Sequence, residues 1–174
     1  MVRTDVALES WRTVREDAAQ AVEEFPAGDF DFKPAEGMLS FREIATHILE
    51  AGYILASCLA DGVEDLSGGK LKGLISAYQA QLPPTYTERD GLIAALRGSV
   101  GECSERLSGK DDEFWATKII RFDGQQVTRL ELLLFIKEHE LQHRSQLFVY
   151  LRLKGLTPPT TRRRLAAQKA ANQT

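Results

Sequence analysis

Hydrophobic residues recur at helical spacing in four long stretches of the chain. Trp11, Val14, Ala18, Val22 and Phe25 fall three or four apart, so a helix brings them onto one face, and Pro26 with Gly28 ends the run. A polar loop, PAGDFDFKPAEGML, leads to a second stretch that opens with SFRE. There Ser40 can cap the helix and Glu43 can reach back to complete a capping box, and the run stops at Asp61-Gly62. The looser segment 68–82 predicts a short helix over 71–78 before Pro83-Pro84. A third long helix is expected from Thr87, where TERD repeats the capping logic, to Ser108-Gly109. Gly91, Gly98 and Gly101 weaken it, each by about 1 kcal/mol relative to alanine. Between 118 and 127 the period changes, and IIRF-DG-QQV carries the β-branched residues and Asp-Gly turn of a small hairpin. A fourth helix opens with TRLE at Thr128 and runs to Lys154, where Gly155 and then Pro158-Pro159 stop it. Four long helices and a minor hairpin predict an all-α four-helix bundle. Residues 1–160 form a single domain in this scheme, and 161–174 a polar, mobile C-terminal tail.

Projected at about 100° per residue, Leu132, Phe135, Ile136, Leu147 and Tyr150 make one broad stripe on the fourth helix. His139 and His143 fall in the middle of that stripe, with Gln146 beside them. On the second helix Ile44, Ala51, Ile54, Leu55 and Cys58 form the apolar face, and His47 is at its centre. The chain has three histidines, and all three are expected to look inward. Two readings fit this placement. In one, each is a buried neutral imidazole satisfied by a hydrogen bond, where a missing partner costs on the order of 1–3 kcal/mol per group. Alternatively one shared divalent cation satisfies a nitrogen of each, and residues four apart on a helix stand close enough to chelate it.

Composition narrows the partners. With 43% hydrophobic and 27% charged residues and a net charge of −3, the chain has the balance of an ordinary globular domain and no electrostatic reason to bind nucleic acid. The run Arg162–Arg164 is best explained as part of a solvated terminus. No apolar stretch is long enough to span a bilayer, and MVRTDVALESW lacks the apolar centre of a signal peptide. Cys58 and Cys103 form no metal or redox spacing and are expected as reduced thiols in a cytoplasmic protein.

The segments SFREIATHILE and HELQHRSQLFVYLRLKGLTPP, separated by the hairpin, closely resemble the DinB/YfiT-like family of metal-dependent enzymes. The resemblance covers roughly residues 5–159, and its specific content is the three histidines and the tail of the fourth helix. It implies an up-down-down-up four-helix bundle holding a divalent metal on His47, His139 and His143. Where the family commonly has glycine after His-Arg, this chain has Ser145. Zinc or nickel is the expected occupant, with iron, manganese or cobalt able to use the same ligands. Characterised relatives include transferases that use bacillithiol, mycothiol or a related low-molecular-weight thiol, and an isomerase. The resemblance therefore implies a thiol-dependent S-transferase or a hydrolase-like enzyme acting on a small electrophilic substrate. The alternative is a non-catalytic metal- or ligand-binding bundle acting as a dimeric stress-response protein.

Several further residues carry expectations. HELQH matches the letters of the zincin motif HExxH, in which the glutamate is a general base. No histidine follows His143 to complete such a site, and the helical context favours the bundle arrangement. Glu43 and Glu50, one turn either side of His47, could support an imidazole or make surface salt bridges. Gln146 and Tyr150 could line the pocket or belong to the core, and Phe114 with Trp115 could close over the site. Finally, Leu130, Leu134, Leu141 and Phe148 form a second apolar stripe about 180° from the histidines, expected as a homodimer contact or as a face covered by the chain itself.

Overall fold

The computed structural model describes residues 3–172. Its elements are α1 (Thr4–Glu24), α2 (Phe41–Ala60), α3 (Gly69–Gln79), α4 (Arg89–Ser108), α5 (Asp112–Ala116), β1 (Lys118–Ile120), β2 (Gln126–Thr128), α6 (Arg129–Leu153) and α7 (Pro159–Ala171).

Two of the three expected caps form. Ser40 Oγ accepts from Glu43 N at 3.1 Å while Glu43 Oε2 accepts from Ser40 N at 2.6 Å, and this reciprocal pair starts α2. The same exchange between Thr128 and Glu131, at 3.1 and 2.6 Å, starts α6. At α4 the third cap is absent. Helix α4 begins at Arg89 behind Glu88, with no side-chain cap, because Thr87 belongs to a 3₁₀ turn, Pro84–Thr87, and its hydroxyl donates to Pro84 O. That turn presses on the helix start so closely that a Cβ on Gly91 would lie 2.0 Å from Thr85 O. Gly91 is therefore needed for contact, whereas Gly98 and Gly101 face open space.

The ends of the long helices show how they run. Arg89 at the start of α4 donates to Glu23 O at the end of α1, so these two are antiparallel. Arg42 reaches Thr87 O at 2.9 Å and Asp61 pairs with Arg106, so α2 and α4 are parallel. Tyr150 donates to Leu39 O at 2.7 Å and Arg129 pairs with Glu64 at 3.7 Å, so α6 runs antiparallel to α2. Helix α1 runs parallel to α6, since Arg15 meets Glu140 and Asp17 meets Arg144. The order is up-down-down-up. The return from the end of α2 to the start of α4 is made by α3, which crosses back beside α2, its Tyr78 hydroxyl donating to Asp61 at 2.5 Å.

The hairpin pairs Ile119 with Val127 around a turn at Gly124, whose φ of 83° suits glycine. It is tied to the end of α2 by Leu66 N to Ile120 O and Ile120 N to Glu64 O, both 2.8 Å. This fastening brings the hairpin tip, with Phe122, to the same side of the bundle as α3. The segment expected to trail as a tail instead forms α7, with Pro158 before its first turn and Pro159 in it. Arg162 pairs with Glu24, and Arg163 with Asp17 at 2.5 Å, which also receives Arg144 at 2.8 Å. The arginine run thus fastens α7 to α1. Residues 173–174, the last of the expected tail, lie outside the described residues.

Candidate metal centre

His47 projects from the first half of α2 and His139 and His143 from the middle of α6. The two helices are antiparallel neighbours, and their imidazoles converge. One nitrogen from each ring lies within 4.8 Å of the others, and ring centroids are 4.5–4.9 Å apart. His47 Nε2 and His139 Nε2 are 3.0 Å apart. The trio stands at the lip of a cleft: His47 is exposed and the other two are half-buried. The core proper is formed one step round each helix, by Ile44, Ile48 and Leu49 on α2 and by Leu132, Ile136 and Leu147 on α6. The expected inward direction therefore holds for convergence and fails for burial.

The rings are suited to act as ligands. Partial burial, followed by the charges of His143 and His47, pushes the pKa of His139 down to about 4. His47 is also lowered, first by burial and then by His143, while the nearby Glu50 carboxylate works in the other direction. Both therefore carry a free lone pair at neutral pH. Gln146 Oε1 accepts from His143 Nδ1 at 2.9 Å, which fixes the tautomer whose neutral ring offers Nε2 as the donor. A divalent ion about 2.0–2.1 Å from each nitrogen spaces tetrahedral donors roughly 3.3 Å apart, close to the observed 3.0 Å between His47 and His139. That pair and the donor type fit such an ion, while the trio as a whole, spread over as much as 4.8 Å, must draw in to share it. Among the described residues no carboxylate or thiol joins the cluster.

The acidic residues divide. Glu43 is spent on the α2 capping box and on Lys33 at 3.1 Å. The Ser40 backbone N–H, then Lys33, holds its pKa at about 2, and it borders a polar hollow without supporting an imidazole. Glu50 stands beside His47 and bounds two cavities at once. Its Oε1 accepts from Tyr86 Oη and from Gln79 Nε2, both at 2.7 Å, and no donor among the described residues reaches Oε2. Glu140 turns the opposite way and is wholly buried. It accepts from Arg15 Nε at 2.8 Å and from a second nitrogen of the same guanidinium, which also donates to Ser99 at 3.1 Å. A Cβ on Gly52 of α2 would fall 2.0 Å from that carboxylate, so all four long helices meet at the pair. The letters HELQH thus hold two candidate ligands and one structural charge, and the zincin arrangement is absent.

Tyr150 is a core residue, its ring against Phe32 and Phe41 and its hydroxyl on Leu39 O. Phe114 and Trp115 do not cover the site. Trp115 is buried with Nε1 on Lys110 O, and Phe114 lies against Trp115 and under Arg129. Of the residues that do border the site, Phe135 on α6 and Ala51, Ile54 and Leu55 on α2 lay on the stripes read from the sequence, whereas Leu71 and Ile75 on α3, Phe122 at the hairpin tip and Tyr86 in the 3₁₀ turn went unmarked. Phe122, one residue before Asp123-Gly124, is the one with a signal, a large aromatic placed where a hairpin turns. The second stripe of α6 is divided: Phe148 is buried, Leu130 and Leu134 are half-buried, and Leu141 is exposed.

A helical bundle of this topology with three histidines at an open cleft defines a class, and the chain can be placed within it. The DinB family model matches residues 1–174, and the chain belongs to the DinB family. It is similar to the uncharacterized protein YjoA of Bacillus subtilis, with 28% identity over 148 residues, covering 85% of this chain and 86% of YjoA. The crystal structure of YjoA superposes with a TM-score of 0.66, covering 87% of this chain and 93% of that one at 24% identity. YfiT from Bacillus subtilis, described as a probable metal-dependent hydrolase with an unusual four-helix bundle topology, gives a TM-score of 0.63 at 16% identity, covering 90% and 91%. A mycothiol-dependent maleylpyruvate isomerase gives 0.60 at 17% identity, covering 84% of this chain and 61% of the isomerase. No helix among the described residues is long and apolar enough to cross a membrane.

Proposed function

We propose that the protein is a metal-dependent enzyme that joins a small electrophilic substrate to a low-molecular-weight thiol, with a hydrolase-like reaction on water as the variant of the same chemistry. The observation that carries this is the convergence of three imidazole donors at the mouth of a cleft, without a fourth protein ligand among the described residues. A structural metal site closes its coordination with protein, and a catalytic one keeps a position open. That difference argues against the non-catalytic bundle. Bound on His47, His139 and His143, a divalent cation, zinc or nickel by ligand type, supplies a Lewis acid and lowers the pKa of a thiol or water at its open side.

The chain's own residues do the rest. Gln146 orients His143, and the lowered pKa of His139 and His47 keeps those rings neutral. In the transfer a sulfur–carbon bond forms, the bond from that carbon to its leaving group breaks, and the thiol proton passes to Glu50. Tyr86 and Gln79 hold that carboxylate through Oε1, leaving Oε2 for the proton. The thiol must be exogenous, since Cys58 and Cys103 are both buried in the core. Two relatives of the same fold support this choice by what they are named for, one a mycothiol-dependent isomerase and one a metal-dependent hydrolase.

The test begins with tag-free protein reconstituted with zinc, nickel or manganese. About one equivalent bound, lost in His139→Ala, is the expected result, and less than a tenth of an equivalent of every metal removes the proposal. The loaded forms are then assayed side by side with several low-molecular-weight thiols and 1-chloro-2,4-dinitrobenzene. Glu50→Gln should keep its metal and lose about 10²-fold or more of the rate, the scale of a lost proton acceptor.

A further inference from the structure

Beside the histidines, the cleft divides into two lobes with Glu50 on the boundary. The lobe toward the start of α2 is lined by residues with polar groups, among them Arg42, Thr46, Tyr86 and Thr87, and holds about 430 Å³. The other holds about 500 Å³ and is walled by Ile54, Leu55, Leu71, Ile75, Phe122 and Phe135, with His47 and His139 at one end. That volume lies within the roughly 300–1,000 Å³ of small-molecule sites, whose walls are mostly apolar with a few polar groups placed to orient the ligand.

Two observations indicate what belongs there. Ile75 and Phe122 are each 38% exposed and come from separate elements, α3 and the hairpin tip, so water touches apolar surface on both sides of this lobe. Aromatic rings also lead inward in series. Phe122 lies 5.4 Å from Phe135, and Phe135 is 6.2 Å from His139 with the planes only 23° apart. Arg121, itself paired with Asp123, lies over both phenyl rings, 5.7 and 5.2 Å from their centroids, so each offers a ligand its remaining face or edge. A flat apolar group can rest against such a series of ring faces and edges.

We infer that the substrate carries a compact apolar body, aromatic by preference, seated between α3, the hairpin tip and Phe135, with its reactive atom delivered to the histidine trio. This rests on the proposed function and names its substrate class. Small polar electrophiles have nothing to gain from this lobe, whereas an aryl or branched-alkyl body removes its exposed wall from water. The polar lobe across Glu50 then receives the more hydrophilic reaction partner.

Two hydroxamates with the same chelating head and different bodies test this on zinc-loaded protein. Benzohydroxamate is expected to bind at least tenfold more tightly than acetohydroxamate by calorimetry. In the double variant Phe122→Ala/Ile75→Glu, that preference should vanish while zinc content, far-UV circular dichroism and acetohydroxamate affinity stay unchanged. Both positions are surface-exposed, so the variant keeps its core. Equal affinities in the native protein, or a preference that survives the double variant, overturn the inference and leave the metal enzyme standing. A metal-free arm separates the two failures. 8-Anilinonaphthalene-1-sulfonate should brighten with the native apo-protein and at least tenfold less with the double variant, and identical signals overturn the apolar seat whatever the metal does.

Discussion

Glu140 stands where a zincin glutamate would stand, one residue after the first histidine of HELQH, and its side chain leaves the site altogether. A fully buried carboxylate is tolerated because Arg15 meets it with two nitrogens and Ser99 accepts from the same guanidinium. Replacing it leaves a buried cation without its counter-charge. Glu140→Gln should therefore destabilise the fold by about 3–5 kcal/mol in urea, as for other broken buried pairs. It should leave zinc stoichiometry at native values wherever the variant is still folded. An unchanged urea midpoint together with lost activity would return Glu140 to the role of base. The histidine spacing was legible in sequence because i and i+4 on a helix share a face, and His47 because it stands at the centre of the apolar face of the second helix, with the family resemblance then naming all three as ligands. The partner of Glu140 was not legible. Arg15 sits four residues after Trp11 on an otherwise apolar stripe, and that misplaced charge was its only trace. The hold on Glu50 was hidden for a different reason, since Tyr86 reaches it across 36 positions through an irregular turn.

At the level of elements, the three Ser/Thr-x-x-acid tetrads separate pattern from geometry. SFRE and TRLE lie directly ahead of helices with nothing competing for their hydroxyls, and both close capping boxes. TERD follows Pro83-Pro84, which turns the chain before the helix begins and draws Thr87 Oγ1 to Pro84 O. Ser40→Ala and Thr128→Ala should each cost about 1 kcal/mol, the usual loss for an N-cap. Thr87→Ala should cost a few tenths at most, a surface change with no cap to lose. Equal losses at all three positions by urea titration would show that the third tetrad caps after all. The same contrast explains why the wall of the apolar lobe escaped a reading of periodicity. Helix α3 contributes only one buried residue, Tyr78, so its pattern is weak, and the hairpin's position depends on the main-chain bonds of Leu66 and Ile120.

For the whole molecule, charge and burial decide what the bundle exposes. Helix α7 is exposed along nearly its whole length and is held against α1 by Arg162 and Arg163, so the arginine run fastens the fold instead of trailing in solvent. A homodimer through Leu130, Leu134, Leu141 and Phe148 remains our proposal for the second face of α6. Because Phe148 is already buried, it would turn on Leu141, and Leu141→Glu should convert a sedimenting dimer to monomer; a native chain that sediments as a monomer at micromolar concentration ends the idea. The core itself predicts an alkaline limit. Burial raises the thiol of Cys58 to about 12 and that of Cys103 to about 11, and Tyr78 is raised by burial and its bond to Asp61. An unfolded thiol releases its proton near pH 8.5, so above that pH the unfolded chain loses protons that the folded one keeps. The stability these groups contribute is complete below about pH 8.5 and falls as pH rises toward 11–12. The urea midpoint should accordingly drop between pH 7.5 and pH 10, and Cys58→Ala/Cys103→Ala should flatten that drop. At pH 8 the native protein should leave both thiols untouched by Ellman's reagent over minutes and yield two only when unfolded. A native thiol that reacts at once would mean that the core opens far more readily than this packing allows, and it would bring an internal sulfur nucleophile back into consideration.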